Sequence, residues 1–372
     1  MSARERGSWR HCSANRRPSA AIAWVLAIIF IPFLGVLVFL LVGVGRLPAR
    51  RREKQREVNE LILARTDGLD QVSHRDEWPP WLTSAVRLNR NLGALPMVGG
   101  NRVELLPDYE ASITRMAAAV DEATEFVHVQ FYILVLDSVT QPFFDALGRA
   151  VQRGVVVNVL SDYLADWFSE TDEVLPLDTS PVVLDPAPDL LDAQVLPSGP
   201  SFDNDNNLKL YALLIQKAEH RVSITSPYFV PEESTMLAIV TAASRGVQVE
   251  LFASAIGDQA LVYHAQRSYY EELLRAGVSV YLYKEPTVLH AKHFTIDDDV
   301  SVAGSSNMDI RSFSLNMEVS VLVHGAEFVQ RMRAVQDGYR ADSRKLELTD
   351  WLDRPAGARV YDNLARLTSS LQ

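Results

Sequence analysis

Residues 289–321 gather the side chains of this protein best suited to handling a phosphate ester. The stretch reads LHAKHFTIDDDVSVAGSSNMDIRSFSLNMEVSV. In it, His290, Lys292 and Asp297 stand in the spacing H-x-K-x4-D, Gly304-Ser305-Ser306-Asn307 follows, and Glu318 is a lone carboxylate in an apolar run. An imidazole can attack phosphorus while an adjacent ammonium holds the oxygens. Residues two apart on a strand share a face, so His290 and Lys292 are expected on one side and Asp297 on the other. His293 has the opposite parity and reads as a surface or supporting histidine. His264 falls on an expected surface helix, and His128 in an apolar strand reads as core or as packing behind the site.

The elements that must carry these residues show an internal repetition. Residues 123–160 and 218–252 share one plan: an alternating apolar run, a helical stretch, an Arg-Gly-Val turn and a Val-rich run. That is a strand–helix–strand unit used twice. His290 lies 45 residues beyond Arg245, but the same distance beyond Arg153 reaches Ser198. Histidine is absent between His128 and His220, and Lys and Arg are absent from Gly154 through Leu208. A phosphate site cannot be built from that acidic segment.

The N-terminal part reads as a membrane anchor. Ala20–Gly45 carries no charge, and its length exceeds a hydrocarbon core of about 30 Å. It is too long for a cleaved signal peptide, and no small-residue cleavage site precedes the following basic run. The basic residues Arg46–Arg56 are either a stop-transfer flank or a patch for anionic headgroups. Their slight excess over the upstream arginines favours a cytoplasmic body and a single-pass cell-membrane protein. Trp78-Pro79-Pro80-Trp81 is expected either at the bilayer interface or packed on the body. The net charge of −11 gives nucleic acid no electrostatic support. Cys12 is the single cysteine, so there is neither an intramolecular disulfide nor a Cys/His metal cluster.

The HAKHFTID run, the GSSNMDIRSFSLNMEVSVLV run and SPYFVPEES (226–234) resemble the second signature of the phospholipase D superfamily, in its cardiolipin synthase branch. QVLPSGPSFDNDNN (194–207) and RSYYEELLRAGVSVYLY (267–283) fit the same family. The resemblance runs from about Arg17 to the C-terminus, with one departure: the family carries two H-x-K-x4-D motifs and this chain has one. The first motif and its flanks are missing as a block after VVVNVL (155–160).

The resemblance implies an α/β fold, a phospholipase D-like mixed sheet flanked by helices, with two repeats of which the first is incomplete. The expected division is an anchor (1–56), a linker helix and loop (57–100), a truncated first repeat (101–205), a complete second repeat (206–345) and a tail (346–372). Family chemistry makes His290 the nucleophile or the acid, with Lys292 and Asn307 on the non-bridging oxygens and Ser305 lending a hydroxyl or backbone contact. Glu318 would fix the histidine tautomer, and Asp297 would anchor the motif. No metal or other cofactor is implied. The implied reaction joins two phosphatidylglycerol molecules into cardiolipin and glycerol through a phosphohistidine. The lost half-site makes the activity of this chain doubtful. A homodimer that restores two half-sites, a non-catalytic membrane remnant and a hydrolytic phosphodiesterase are the alternatives.

Overall fold

A computed structural model describes residues 49–367 except 132, 162–189, 200, 201, 203, 204 and 258, together with Ile28, Ile29, Phe33 and Val36. The expected span at 20–45 therefore lies outside the described residues but for those four, which are helical. Among the described residues, no helix is long and apolar enough to cross a membrane.

In chain order the elements are α1 (Ala49–Arg65), α2 (Leu82–Asn91), β1 (Val98–Asn101), α3 (Tyr109–Glu122), β2 (Phe126–Phe131), α4 (Gln141–Gln152), β3 (Val156–Ser161), β4 (Leu191–Ser198) and α5 (Asn206–Lys217). Next come β5 (Arg221–Thr225), β6 (Phe229–Val230), α6 (Glu233–Ser244), β7 (Gln248–Ser254), α7 (Ala260–Arg267), α8 (Tyr270–Arg275), β8 (Ser279–Tyr283), β9 (His293–Ile296) and β10 (Val300–Gly304). The last are β11 (Met308–Asp309), α9 (Ile310–Ser314), β12 (Glu318–His324), α10 (Ala326–Ala341), β13 (Ser343–Lys345), α11 (Leu348–Leu352) and α12 (Ala356–Leu367). They divide into two compact units, Glu104–Val183 and the remainder.

The larger unit is built on a nine-stranded mixed sheet in the order β1-β4-β12-β10-β9-β5-β7-β8-β13. Strands β5, β7 and β8 run parallel, and the other pairings are antiparallel. Every residue of β9 is buried, because both faces of the sheet are covered. Phe294 packs against Tyr211 of α5 on one face. Thr295 meets Gln336 of α10 on the other. Strand β4, which precedes the expected boundary at 205, pairs with β12 along its length. Trp78 packs on this body, its indole N–H donating to Asp192 at 2.8 Å.

The smaller unit holds a parallel pair, β2 and β3, with its own core around Ile113, Val129, Phe143 and Leu147. The opposite face of the pair leaves Val156 and Leu160 58% and 47% exposed, whereas parallel strands are ordinarily covered on both faces. Both units use a strand–helix–strand plan, β2-α4-β3 and β5-α6-β7, and the same closing device. Gly154 and Gly246 turn at φ +86° and +90°, a conformation that suits glycine. The preceding arginine reaches back to carbonyls at the end of an earlier helix: Arg153 to Val120 and Ala123, Arg245 to Gln216 and Ala218.

Three histidines have settings that strand and helix patterns alone did not define. His128 is exposed, not core, beside Asn158 at 3.3 Å. His293 is buried, not at the surface, because α10 covers that face of the sheet; burial pushes its pKa down to about 4. His264 is on a helix as expected, but it is partly buried and bonded to buried Asp362 at 2.8 Å.

Candidate active site

His290 and Lys292 do not lie on a strand. Regular pairing begins at His293, and the two residues occupy the irregular lead-in to β9. They still meet, because the Lys292 ammonium donates to the His290 carbonyl at 2.8 Å and lies 3.1 Å from Nδ1 of the ring. The Lys292 carbonyl accepts from Gly304 N–H at 3.1 Å, which ties the motif to the end of β10. The exposed His290 ring meets Tyr228 edge to face, with centroids 5.9 Å apart.

Close strand spacing brings the serine run to Glu318. A Cβ at Gly304 would lie 2.3 Å from the Val319 carbonyl oxygen, so β10 and β12 approach too closely for any larger residue. One residue on, Ser305 N–H donates to the Val319 carbonyl, and Val319 N–H donates to Ser305 Oγ. The Ser305 hydroxyl also donates to Glu318 Oε2, and Asn316 donates to Oε1 at 3.3 Å. Burial raises the Glu318 pKa, against the pull of these hydrogen bonds.

The Asn307 side chain is buried and donates to Ser312 Oγ at 3.3 Å. Asp309 caps α9 by accepting from Ser312 N–H. The parallel pair β6–β11 and a bond from Met308 N–H to Ser226 Oγ lock this segment onto SPYFV. Behind Lys292 the wall is closed, with a cavity of about 10 Å³ between it, Tyr211, Ser306 and Met308. Burial pushes the Lys292 pKa down to about 8, and the charges of Glu318 and Asp309 oppose that shift. An ammonium held in such a setting gains most from an arriving anion.

Asp297 is set apart from this cluster. It adopts φ +47° and accepts from the N–H groups of Glu219, His220 and Arg221 at 2.9, 2.7 and 2.9 Å. Its carboxylate therefore fixes the turn entering β5. Arg311 braces the opposite side through Asn316 at 3.4 Å. Sequence reasoning did not single out Asp309, Ser312 or Asn316. The Asp-x-x-Ser spacing of 309–312 is a helix-start signal that could have found the first two.

The arrangement is an imidazole–ammonium pair beside a carboxylate and amide cluster. The family model described as "Cardiolipin synthase, PLD-like domain" matches residues 211–337. The "Phospholipase_D-nuclease N-terminal" model matches residues 8–43. Cardiolipin synthase A of Pseudomonas aeruginosa is 29% identical over 464 aligned positions, covering 96% of this chain and 91% of that protein. Cardiolipin synthase of Geobacillus kaustophilus is 24% identical over 458, covering 96% and 90%. Both alignments are longer than the 372-residue chain, so the relatives hold internal sequence without a counterpart here. The solved phosphatidylserine synthase of Haemophilus influenzae superposes with a TM-score of 0.57 at 12% identity, covering 77% of this chain and 98% of that one. That likeness shows a shared fold. Residues 211–337 thus match a phospholipase D-like domain of the cardiolipin synthase type, and cardiolipin synthases align with 96% of the chain.

Proposed function

We propose that this protein is a cardiolipin synthase-type phosphatidyltransferase that retains one of two half-sites and, by itself, is close to inactive. The observation that carries the proposal is the assembled pair of His290 and Lys292 in a chain with a single H-x-K-x4-D motif. In the full reaction an imidazole nitrogen attacks the phosphorus of phosphatidylglycerol, and the P–O bond to glycerol breaks. A second acid protonates the departing glycerol oxygen. The same group, now a base, takes the proton of another phosphatidylglycerol's hydroxyl as its oxygen attacks the phosphohistidine; the P–N bond breaks, and cardiolipin leaves.

Lys292 and Asn307 would hold the non-bridging oxygens, with Ser305 and Glu318 keeping the site in shape. Glu318 would also hold the His290 tautomer. The partner that protonates or attacks from the other side has no counterpart, and a missing general acid costs about 10²–10⁴-fold in rate. In this reading the first of two repeats is incomplete, residues 20–45 span the cell membrane once, and the body faces the cytoplasm. A lipid substrate is supported by the relatives' names and by the apolar rim beside Glu318, where Leu315 and Met317 are 48% and 57% exposed.

The test incubates the purified full chain with phosphatidylglycerol vesicles and follows both cardiolipin and glycerol, with His290→Ala as control. Equal background from both proteins is expected. Robust turnover that disappears in His290→Ala would overturn the inactive reading and point to a site shared between two copies.

A further inference from the structure

A second cavity, of about 310 Å³, lies away from the His290 cluster and opens among residues of the segment 66–97 of the larger unit. Three arginines, Arg75, Arg87 and Arg90, line it together with Asp67, Asp70 and Trp78. The basic side chains are differently committed. Arg90 donates to the backbone carbonyls of Ala94 and Leu63 at 3.3 and 3.2 Å, which fixes its guanidinium without neutralising it. Arg75 lies over the Trp78 ring, 5.5 Å from its centroid, and that ring is held by Asp192. Arg87 is exposed and makes no ion pair with any described residue. Val72, Val86 and Met97 supply apolar wall.

We propose that this cavity is a non-catalytic site for a glycerophosphate diester, the headgroup of an anionic phospholipid. Planar guanidinium groups match phosphate oxygens in pairs, and three of them around one cavity favour a phosphodiester over a hydroxyl compound alone. Asp67 and Asp70 oppose a bare multivalent anion, but they can accept hydrogen bonds from glycerol hydroxyls beside a singly charged phosphate. The volume is at the small end of ligand pockets, which suits a headgroup and not a whole lipid. The placement agrees: α1 follows the apolar stretch 20–45 in sequence and ends at Arg65, one residue before the cavity lining begins at Thr66. The choice of lipid rests on the proposed function, whereas the recognition of a phosphodiester does not.

The test uses the full chain in neutral detergent, carrying His290→Ala and Lys292→Ala so that the catalytic cluster no longer contributes. Titration with glycerophosphoglycerol should give one saturable site. Adding Arg75→Gln and Arg87→Gln should weaken it at least tenfold while leaving the melting temperature unchanged. Adding Asp67→Asn and Asp70→Asn instead should weaken glycerophosphoglycerol and strengthen inorganic phosphate. Phosphatidylglycerol in phosphatidylcholine micelles should displace the soluble headgroup, and phosphatidylcholine alone should not. Absence of a saturable site, or binding indifferent to the arginine changes, overturns the proposal. Inorganic phosphate binding as tightly as the diester, with no displacement by phosphatidylglycerol, overturns the lipid assignment. The parent chain's synthase assay is read separately, so failure of the proposed function is distinguishable from failure here.

Discussion

Replacing Lys292 by methionine should make the folded protein more stable at neutral pH while removing its grip on phosphate. The lysine pKa falls from 10.5 to about 8 because burial penalises the ammonium. At about 1.4 kcal/mol per pH unit, the protonated side chain costs the folded state about 3 kcal/mol. Methionine keeps most of the stem that lines the wall beside Tyr211 and Ser306 and carries no charge. The charges of Glu318 and Asp309 are already contained in that shift, and because the side chain is only partly buried solvent screening brings the net gain to about 1–3 kcal/mol.

The sign follows from proton counting. Between pH 8 and 10.5 the unfolded lysine is protonated and the folded one is not, so wild-type stability rises with pH across that window. Below pH 8 both states carry the proton and the full cost remains. Melting curves of wild type and Lys292→Met in detergent should therefore differ most below pH 8 and converge by about pH 10. At about 2–4 °C per kcal/mol, the gap at pH 7 should be several degrees. A variant less stable than wild type at pH 7, or a gap independent of pH, would refute a desolvated cation waiting for an anion.

Asp297→Ala removes the acceptor of three N–H groups and places alanine at φ +47°; the expected loss is about 2–4 kcal/mol by denaturant unfolding. Asp297→Gly should recover about 1 kcal/mol of that, and unchanged stability in the alanine variant would contradict the anchoring role. Gly304→Ala forces a methyl to within 2.3 Å of the Val319 carbonyl; the expected cost is about 3 kcal/mol. A Gly304→Ala protein with wild-type melting behaviour would show that β10 and β12 can separate freely there.

The meeting of His290 and Lys292 was legible because they lie close in sequence. The parity reasoning expected it on a strand, but pairing starts only at His293. Asp297 was assigned the other face, but the amides it holds lie 76–78 positions earlier, beyond any local pattern. Burial of His293 depends on α10 packing across the sheet, and the exposure of His128 depends on a face of β2–β3 that stays uncovered. Neither is written in strand periodicity. The strand–helix–strand plan of both units was legible because each turn carries its own Arg-Gly-Val. The joining of β4 to β12 was not, because long-range pairing is set by packing and not by local propensity.

The positioning of the half-site comes from within the larger unit. Lys292 is tied to β10, Ser305 and Glu318 bridge β10 and β12, β12 is backed by β4, and Met308 is bound to the turn after β5. None of these links draws on β2 or β3, which among the described residues pair with each other. On the proposed function, a missing opposing half-site would remove chemistry without loosening these residues. If the proposed function holds, the protein should bind phosphodiesters at a preformed half-site, and supplying an opposing half-site, not repairing the existing one, is the change that should raise its rate.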